Sequence, residues 1–295
     1  MLGIAQYEDL FHYINWIPSE LGPLVTDFGN LKINKDTNDN NWNYHKVFQS
    51  LIKFTSEDSY IFTLSIDLNL IKISSIDFDE KPKEMIQWYL NQASEKEFIE
   101  LMDFFYYPMQ NKNSLFMLSI PKDLRSNVKE VIREQRTELR TLGVGIFSAE
   151  VGARQWFHAG KLESYLIWRM DKKNINQFLL IYKGRLSIYC VLKIRKNKID
   201  RIQLLGNRSK YDELINDLDR IGTKSTNKFL SCEKVYIYNV DGTSKKIKNI
   251  ENKNIENLVL LNPLNILKNS MNKQYNVYKT LPLAETGLAF RGIDV

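Results

Sequence analysis

Apolar and polar positions alternate most clearly between Gln177 and Gly222. Gln-Phe-Leu-Leu-Ile-Tyr (177–182) runs to a turn at Lys183-Gly184, and Arg-Leu-Ser-Ile-Tyr-Cys-Val-Leu follows. In that second run Leu186, Ile188, Cys190 and Leu192 share one parity and Ser187, Tyr189 and Val191 the other, the period of a strand. A third apolar run, Ile199–Leu205, lies past a turn at Lys196-Asn197-Lys198, so the three predict an antiparallel meander. The period then lengthens. Tyr211, Leu214, Ile215 and Leu218 fall on one helical stripe, which Ser209 can cap and Gly222 can end.

Upstream, Leu2–Ile4 and Leu10–Trp16 read as strands, Pro18–Pro23 as a turn, Leu31–Ile33 as extended and Asn34–Asn41 as a polar loop. Val47, Leu51 and Phe54 keep helical spacing, and Tyr60–Ile66 is apolar enough for a central strand. Leu68–Phe78 opens a small inserted unit. It continues with a helix started by Pro82 and carrying Met85, Ile86, Tyr89 and Leu90, then helical spacing at Phe98, Leu101 and Met102. The aromatic run Phe104–Tyr107 and a strand at Leu115–Ile120 complete it. A long helix then opens at Pro121 and Asp123, with Leu124, Val128, Val131, Ile132 and Leu139 on its apolar stripe and Gly143 at its end. Val144–Phe147 is strand-like, Ala149–Phe157 helical, and Lys172–Asn176 a polar junction that marks the expected boundary between two halves. Lys234–Val240 is a strand running into Asp241-Gly242, Ile250–Leu261 a helix and strand, and Thr280–Gly292 a terminal helix. No internal repeat shows at the residue level.

A chain of 295 residues, 43% hydrophobic and 26% charged, predicts a globular protein of two domains. No run reaches the ~18 apolar residues of a membrane helix, and no basic-then-apolar signal opens the sequence, so a cytoplasmic protein is expected. Cys190 and Cys232 read as buried thiols in a reducing compartment. The net charge of +6 is modest, with cations densest at Lys193–Arg201 and at Lys245-Lys246. These are a solvated hairpin tip and loop, or else a contact for phosphates or an anionic membrane. No aromatic residues interleave with them as a stacking platform requires.

Thr26-Asp27-Phe28-Gly29 reads as a structural turn with an Asp cap or as a displaced phosphate turn. A kinase reading fails because no glycine-rich loop, strand lysine or His-Arg-Asp accompanies it. His12, His45 and His158 lack metal-ligand spacing, so no metal is expected. Nucleophile elbows, Cys-His pairs and Walker motifs do not occur, and the acid pairs Asp77/Asp79 and Asp212/Glu213 suit turns and a helix start.

Three stretches resemble the actin-like PilM family of type IV pilus assembly proteins, and more distantly FtsA and the cytoplasmic domain of GspL. The first is Tyr60–Arg154, with its strand, inserted subdomain, strand, long helix and closing Leu-Gly-Val-Gly-Ile-Phe-Ser-Ala-Glu-Val-Gly-Ala-Arg. The second is the meander Phe178–Gly206, and the third the tail Leu281–Asp294, similar to the family's closing Gly-Leu-Ala-Leu-Arg-Gly. The resemblance implies an α/β fold with mixed sheets, the two-lobed actin-like (ribonuclease H-like) architecture. Its first lobe would span 1–171 with a small insert at about 69–140, and its second lobe 172–295.

Departures from the family pattern matter as much. Actin-like ATPases hold phosphate with two hairpin turns carrying Asp and Gly, a carboxylate for the metal and glycine for close backbone approach. The first expected turn here is Ala5-Gln6-Tyr7-Glu8, and Tyr182-Lys183-Gly184 keeps only the glycine of the second. Val240-Asp241-Gly242 stands where the family places Gly-Gly under the adenosine. Roughly a dozen residues separate Gly222 from Lys234, where the family inserts the lid subdomain over the nucleotide, so that lid is reduced or absent. The resemblance thus implies the fold without the ATPase, with no cofactor and no catalytic residue.

The expected role is a non-catalytic cytoplasmic scaffold of a type IV pilus, type II secretion or related envelope machine, peripheral to the inner membrane. Its partner would be the cytoplasmic segment of a bitopic membrane protein, alongside other platform subunits. Nucleic acid is not expected, the membrane is reached only indirectly, and self-association stays open. The resemblance implies that Trp88, Tyr89, Phe104, Phe105, Tyr106 and Tyr107 flank the equivalent of the groove that receives a partner peptide in the family. Two alternatives remain: an active actin-like ATPase or small-molecule kinase using Asp27, Gly184, Asp241 and Gly242, and a module binding lipid or nucleic acid through Lys193–Arg201.

Overall fold

The computed structural model describes residues 1–33, 44–52, 61–77, 102–110, 114–134, 138–195, 198–223, 228–229, 232–241, 247, 249–250, 255–269 and 282–292. The chain opens with β1 (Leu2–Tyr7), β2 (Leu10–Ser19), β3 (Gly22–Lys32), α1 (Tyr44–Ile52) and β4 (Ile61–Ile66). There follow β5 (Lys72–Asp77), β6 (Met102–Pro108), β7 (Ser114–Pro121), α2 (Lys122–Glu134), β8 (Glu138–Val144) and α3 (Gly145–Phe157). Next come β9 (Ser164–Met170), β10 (Ile175–Tyr182), β11 (Arg185–Arg195), β12 (Lys198–Gly206) and α4 (Arg208–Thr223). The last elements are β13 (Lys234–Asn239), β14 (Leu258–Leu260), β15 (Lys268–Asn269) and a 3₁₀ helix at Ala284–Phe290. They form two compact units, Met1–Leu70 with Pro121–Ala159 and Leu261–Val295, and Ile71–Ile120 with Gly160–Leu260.

The first unit is built on a sheet ordered β15-β3-β2-β1-β4-β8. β1, β2 and β3 pair antiparallel, while β4 runs parallel to β1 and β8 parallel to β4. One face carries Gln6 and Phe62 toward α1, whose Tyr44 bonds Gln6 and whose Phe48 meets Phe62 edge-on at 5.3 Å. The opposite face is cut back to glycine because the 3₁₀ helix lies on it. A Cβ on Gly3 would fall 2.7 Å from that of Ala289, and one on Gly143 would fall 2.6 Å from Leu288. All seven residues of that helix are buried.

In the second unit the sheet order is β12-β11-β10-β9-β13-β14. Its register bears out the alternation, with Phe178 opposite Cys190 and Cys190 opposite Leu204. Leu214 and Leu218 of α4 enter the same core, and Tyr211 and Ile215 pack against it. A smaller sheet, β5-β7-β6, belongs to this unit. It is joined to the larger one by Phe116 edge-on to Tyr189 at 5.9 Å and by Gln203 Nε2 donating to the Ile73 carbonyl at 2.7 Å. The two large sheets share a topology: β3-β2-β1-β4-β8 and β11-β10-β9-β13-β14 each hold an antiparallel meander followed by two parallel strands.

Several expectations are corrected. The meander begins one strand earlier, at β9, a run to which the pattern reading assigns no element. The long helix does not reach Gly143: it ends at Glu134, and Glu138–Val144 leaves the helical stripe to extend the sheet beside β4. Val144 is the last residue of that strand, and Gly145–Phe147 open α3. Met102 lies on a strand rather than a helix. Pro18 and Pro23 face each other within the β2–β3 hairpin, so the turn itself is only Glu20-Leu21. Thr26–Gly29 is no turn but mid-β3, where the Gly29 position receives the Tyr13 ring. Asn207, not Ser209, caps α4, its Oδ1 accepting the Lys210 N–H at 3.1 Å. At the end of the chain a short 3₁₀ helix takes the place of the predicted terminal helix. The loop at Asn34–Asn41, the helix opened by Pro82 and the Lys245-Lys246 pair lie outside the described residues.

Candidate functional site

In α/β sheets ligands sit beyond the carboxyl ends of parallel strands. In the first unit the strands meeting there are β1 and β4, paired through Ala5 and Ser65. The residue after β4 is Asp67, a carboxylate only 2% exposed. Its Oδ2 accepts the Glu8 N–H of the β1–β2 turn at 2.6 Å, and its Oδ1 accepts the Asn69 N–H at 3.0 Å. Beside it Tyr44 donates to Gln6 Oε1 at 2.9 Å. Burial first, and then the charge of Asp67, push the Tyr44 phenol well above its usual range. A second buried carboxylate, Glu285, places Oε1 3.6 Å from where a Cβ on Gly145 would fall. Gly145 begins α3, whose N-terminus has no side-chain cap, so Glu285 lies by the positive end of that helix dipole.

The second unit has a corresponding first hairpin turn, between β9 and β10 at Asp171–Asn174. Asp171 closes it by accepting the Ile175 N–H at 2.9 Å, and Asn174 takes φ 63°. Trp168 Nε1 donates to Asn176 Oδ1 at 2.9 Å just inside it. Tyr182-Lys183-Gly184 forms the next hairpin, between β10 and β11. Tyr182 pairs with Arg185, and Lys183 and Gly184 both have positive φ, 49° and 70°. That is the geometry of a tight two-residue hairpin turn. The Lys183 N–H donates to the Glu163 carbonyl at 2.6 Å, and its ammonium lies 3.4 Å from the Glu163 carboxylate. Val240 follows β13, and the Asp241 N–H donates to Asn239 Oδ1 at 2.9 Å. Gly242 lies outside the described residues.

Asp27 lies within β3, not in a turn, and accepts the Tyr13 hydroxyl at 3.2 Å along the β2–β3 ladder. Burial, then Asp27, push that phenol up to about 12. Of the expected partner-binding residues, Phe104–Tyr107 lie on β6, at the end of the small sheet, and Phe105 is 41% exposed. Trp88 and Tyr89, and the side chains of Phe104, Tyr106 and Tyr107, lie outside the described residues. His12 is buried in β2 and His158 ends α3 in the left-handed conformation. Among the described residues no helix is long and apolar enough to cross a membrane. Sequence reasoning passed over Asp67, Asp171 and Glu285. The signal for Asp67 is a lone acid directly after an apolar strand; for Glu285 it is a lone acid inside an apolar tail.

The meander-plus-parallel topology found in both units is that of the actin-like class, and the chain has an actin-like α/β fold. No protein-family profile and no curated protein matches the sequence. Among solved structures, the chain resembles one described as the PilM-PilN type IV pilus biogenesis complex, with a TM-score of 0.61 and 12% identity. That alignment covers 100% of this chain and 98% of the other. It also aligns with the cytoplasmic domain of EpsL, an inner membrane component of the Vibrio cholerae type II secretion system. There the TM-score is 0.45 and the identity 9%, over 95% of this chain and 92% of that one. A Bacteroides thetaiotaomicron protein with an actin-like ATPase fold and unknown function aligns at TM-score 0.43 and 12% identity, over 94% of each chain.

Proposed function

We propose that this chain is a non-catalytic, cytoplasmic scaffold of a type IV pilus, type II secretion or related envelope machine. It holds the cytoplasmic segment of a membrane-anchored partner. The fold shared with the PilM-PilN complex supports the setting. The observation that carries the loss of catalysis is Asp67. An actin-like ATPase offers the first hairpin turn's amide to a phosphate; here the Glu8 N–H is held by a buried carboxylate. An anion brought to that turn would have to displace this bond and meet the Asp67 charge in a place water reaches poorly.

Partner docking falls to β6. It lies at the end of its sheet and presents Phe105, and an extended peptide beside such a strand gains backbone hydrogen bonds plus apolar contact. Two measurements test the reading. Calorimetric titration with ATP and magnesium is expected to give no binding; micromolar affinity with hydrolysis would overturn it in favour of the ATPase. A photo-crosslinker placed at Phe105 in native cells is expected to capture the cytoplasmic segment of a bitopic inner-membrane protein.

A further inference from the structure

One end of the large sheet in the second unit gathers basic residues that the sequence keeps apart. The β9–β10 turn presents Lys172 and Lys173, both exposed. Beside it lies the β11–β12 hairpin, because Ile175 pairs with Lys193 and the Ile194 N–H donates to the Asn174 carbonyl at 3.0 Å. That hairpin adds Lys193, Arg195, Lys198 and Arg201, of which only Lys193 is half-buried. Lys193 stands opposite Asp200, and Arg195 opposite Lys198. Lys198 contacts Asp200 at 2.8 Å; that contact first, then the charges of Lys198, Arg195 and Lys193, hold the Asp200 carboxyl below its usual range. Arg201 turns to the other face, over the Tyr211 ring at 5.9 Å.

Among the described residues, six cations thus share this end with two carboxylates, Asp171 and Asp200, a net of four positive charges in a chain whose net charge is +6. Asp241 stands apart, on the far side of β9, where the Val240 N–H donates to the Met170 carbonyl. Ladders through β10, β11 and β12 bring the two hairpins side by side. Next to Arg201 an extra residue bulges from the ladder: Val191 faces Gln203 and Leu192 faces Arg201, which leaves Ile202 between them, 57% exposed.

We propose that this end of the second unit, the exposed Lys172, Lys173, Arg195, Lys198 and Arg201 with Ile202, contacts the anionic headgroups of a lipid bilayer directly. From the sequence, the scaffold reading reaches the membrane only indirectly, and lipid binding through Lys193–Arg201 stands as a separate alternative. A small phosphate ligand is a poor fit, since exposed cations hold one anion weakly and gain only by summing over a charged surface. Nucleic acid is less suited because the exposed apolar group here is an aliphatic Ile, not a stacking ring. An aliphatic side chain beside cations suits the headgroup–acyl boundary. Such a contact is open to the scaffold whichever partner it holds.

Co-sedimentation of the full chain with vesicles tests it. At low salt the protein is expected to bind vesicles containing about one third phosphatidylglycerol and not pure phosphatidylcholine. Binding should disappear near 0.5 M salt, where charges are screened within about 4 Å. Each cation near such a surface is worth about five-fold, so reversing Lys172, Lys173, Arg195 and Lys198 to Glu should weaken binding more than a hundred-fold. Ile202→Ser should weaken it a few-fold, and an unchanged thermal midpoint shows that the variants fold. Absence of binding to anionic vesicles overturns the proposal. So does tighter binding to a single-stranded oligonucleotide that Ile202→Ser leaves unaltered, which would assign the patch to nucleic acid.

Discussion

Gly287 lies against Gly152 so closely that a Cβ built on it would fall 2.5 Å from the Gly152 Cα. Backbone meets backbone there, so neither side can yield by turning a side chain. Gly287→Ala is therefore expected to lower stability by about 1–3 kcal/mol, the usual range for overpacking, through steric conflict alone. A drop in the thermal midpoint measures it. Gly292→Ala, with open space around it, should cost less and only through its φ of 75°.

Asp67→Ala removes two backbone-to-carboxylate hydrogen bonds from a buried position. The expected loss is about 2–4 kcal/mol, since the Glu8 and Asn69 amides are left without that acceptor. Asp67→Asn keeps one oxygen acceptor and should lose less. Urea denaturation of the two variants gives the comparison.

Gly184 follows Lys183 in a turn where both residues have positive φ. Gly184→Ala should cost about 1 kcal/mol, and Lys183→Gly should recover a similar amount. If the glycine serves the turn and not a phosphate, neither change alters the heat measured on adding ATP.

Burial pushes the Cys190 and Cys232 thiols from 9.0 up to about 12. Between these values the unfolded chain has released protons that the folded chain retains. Their contribution to stability is thus fully present below pH 9 and is lost as pH rises toward 12. The Tyr13 phenol, raised from 10.0 to about 12, joins the decline above pH 10. The urea midpoint should fall across this window, less steeply in a Cys190→Ala, Cys232→Ala double variant. At neutral pH neither thiol should react with a thiol reagent until the protein unfolds.

Phe105→Asp places a charge on the exposed face of β6 and should weaken capture of the partner segment at least ten-fold, while leaving the thermal midpoint within about a degree. Pull-down with both proteins measures the first and a melting curve the second.

Phe178, Cys190 and Leu204 lie in register as their alternation predicts. β9 gave no such signal because all seven of its residues are buried. A strand covered on both faces need not alternate; β11, buried from Leu186 to Leu192, was marked instead by the turns that flank it. Leu139 kept helical spacing with Val128 and Ile132, yet pairing with Phe62 of β4 decided its conformation, and no local pattern reports that partner. The carboxylates were hidden for the same reason. Asp67 acts on Glu8 and Glu285 lies beside Gly145, and such long-range pairs leave no periodic trace.

The wedge of residues 284–290 under the first sheet has a consequence for synthesis. A ribosome adding about 5–20 residues per second delivers β1 early and the piece that seals its glycine-lined face long afterwards. The second unit, by contrast, is already complete at Leu260. Half of the molecule can therefore mature while the other half still waits, open, for its final clasp.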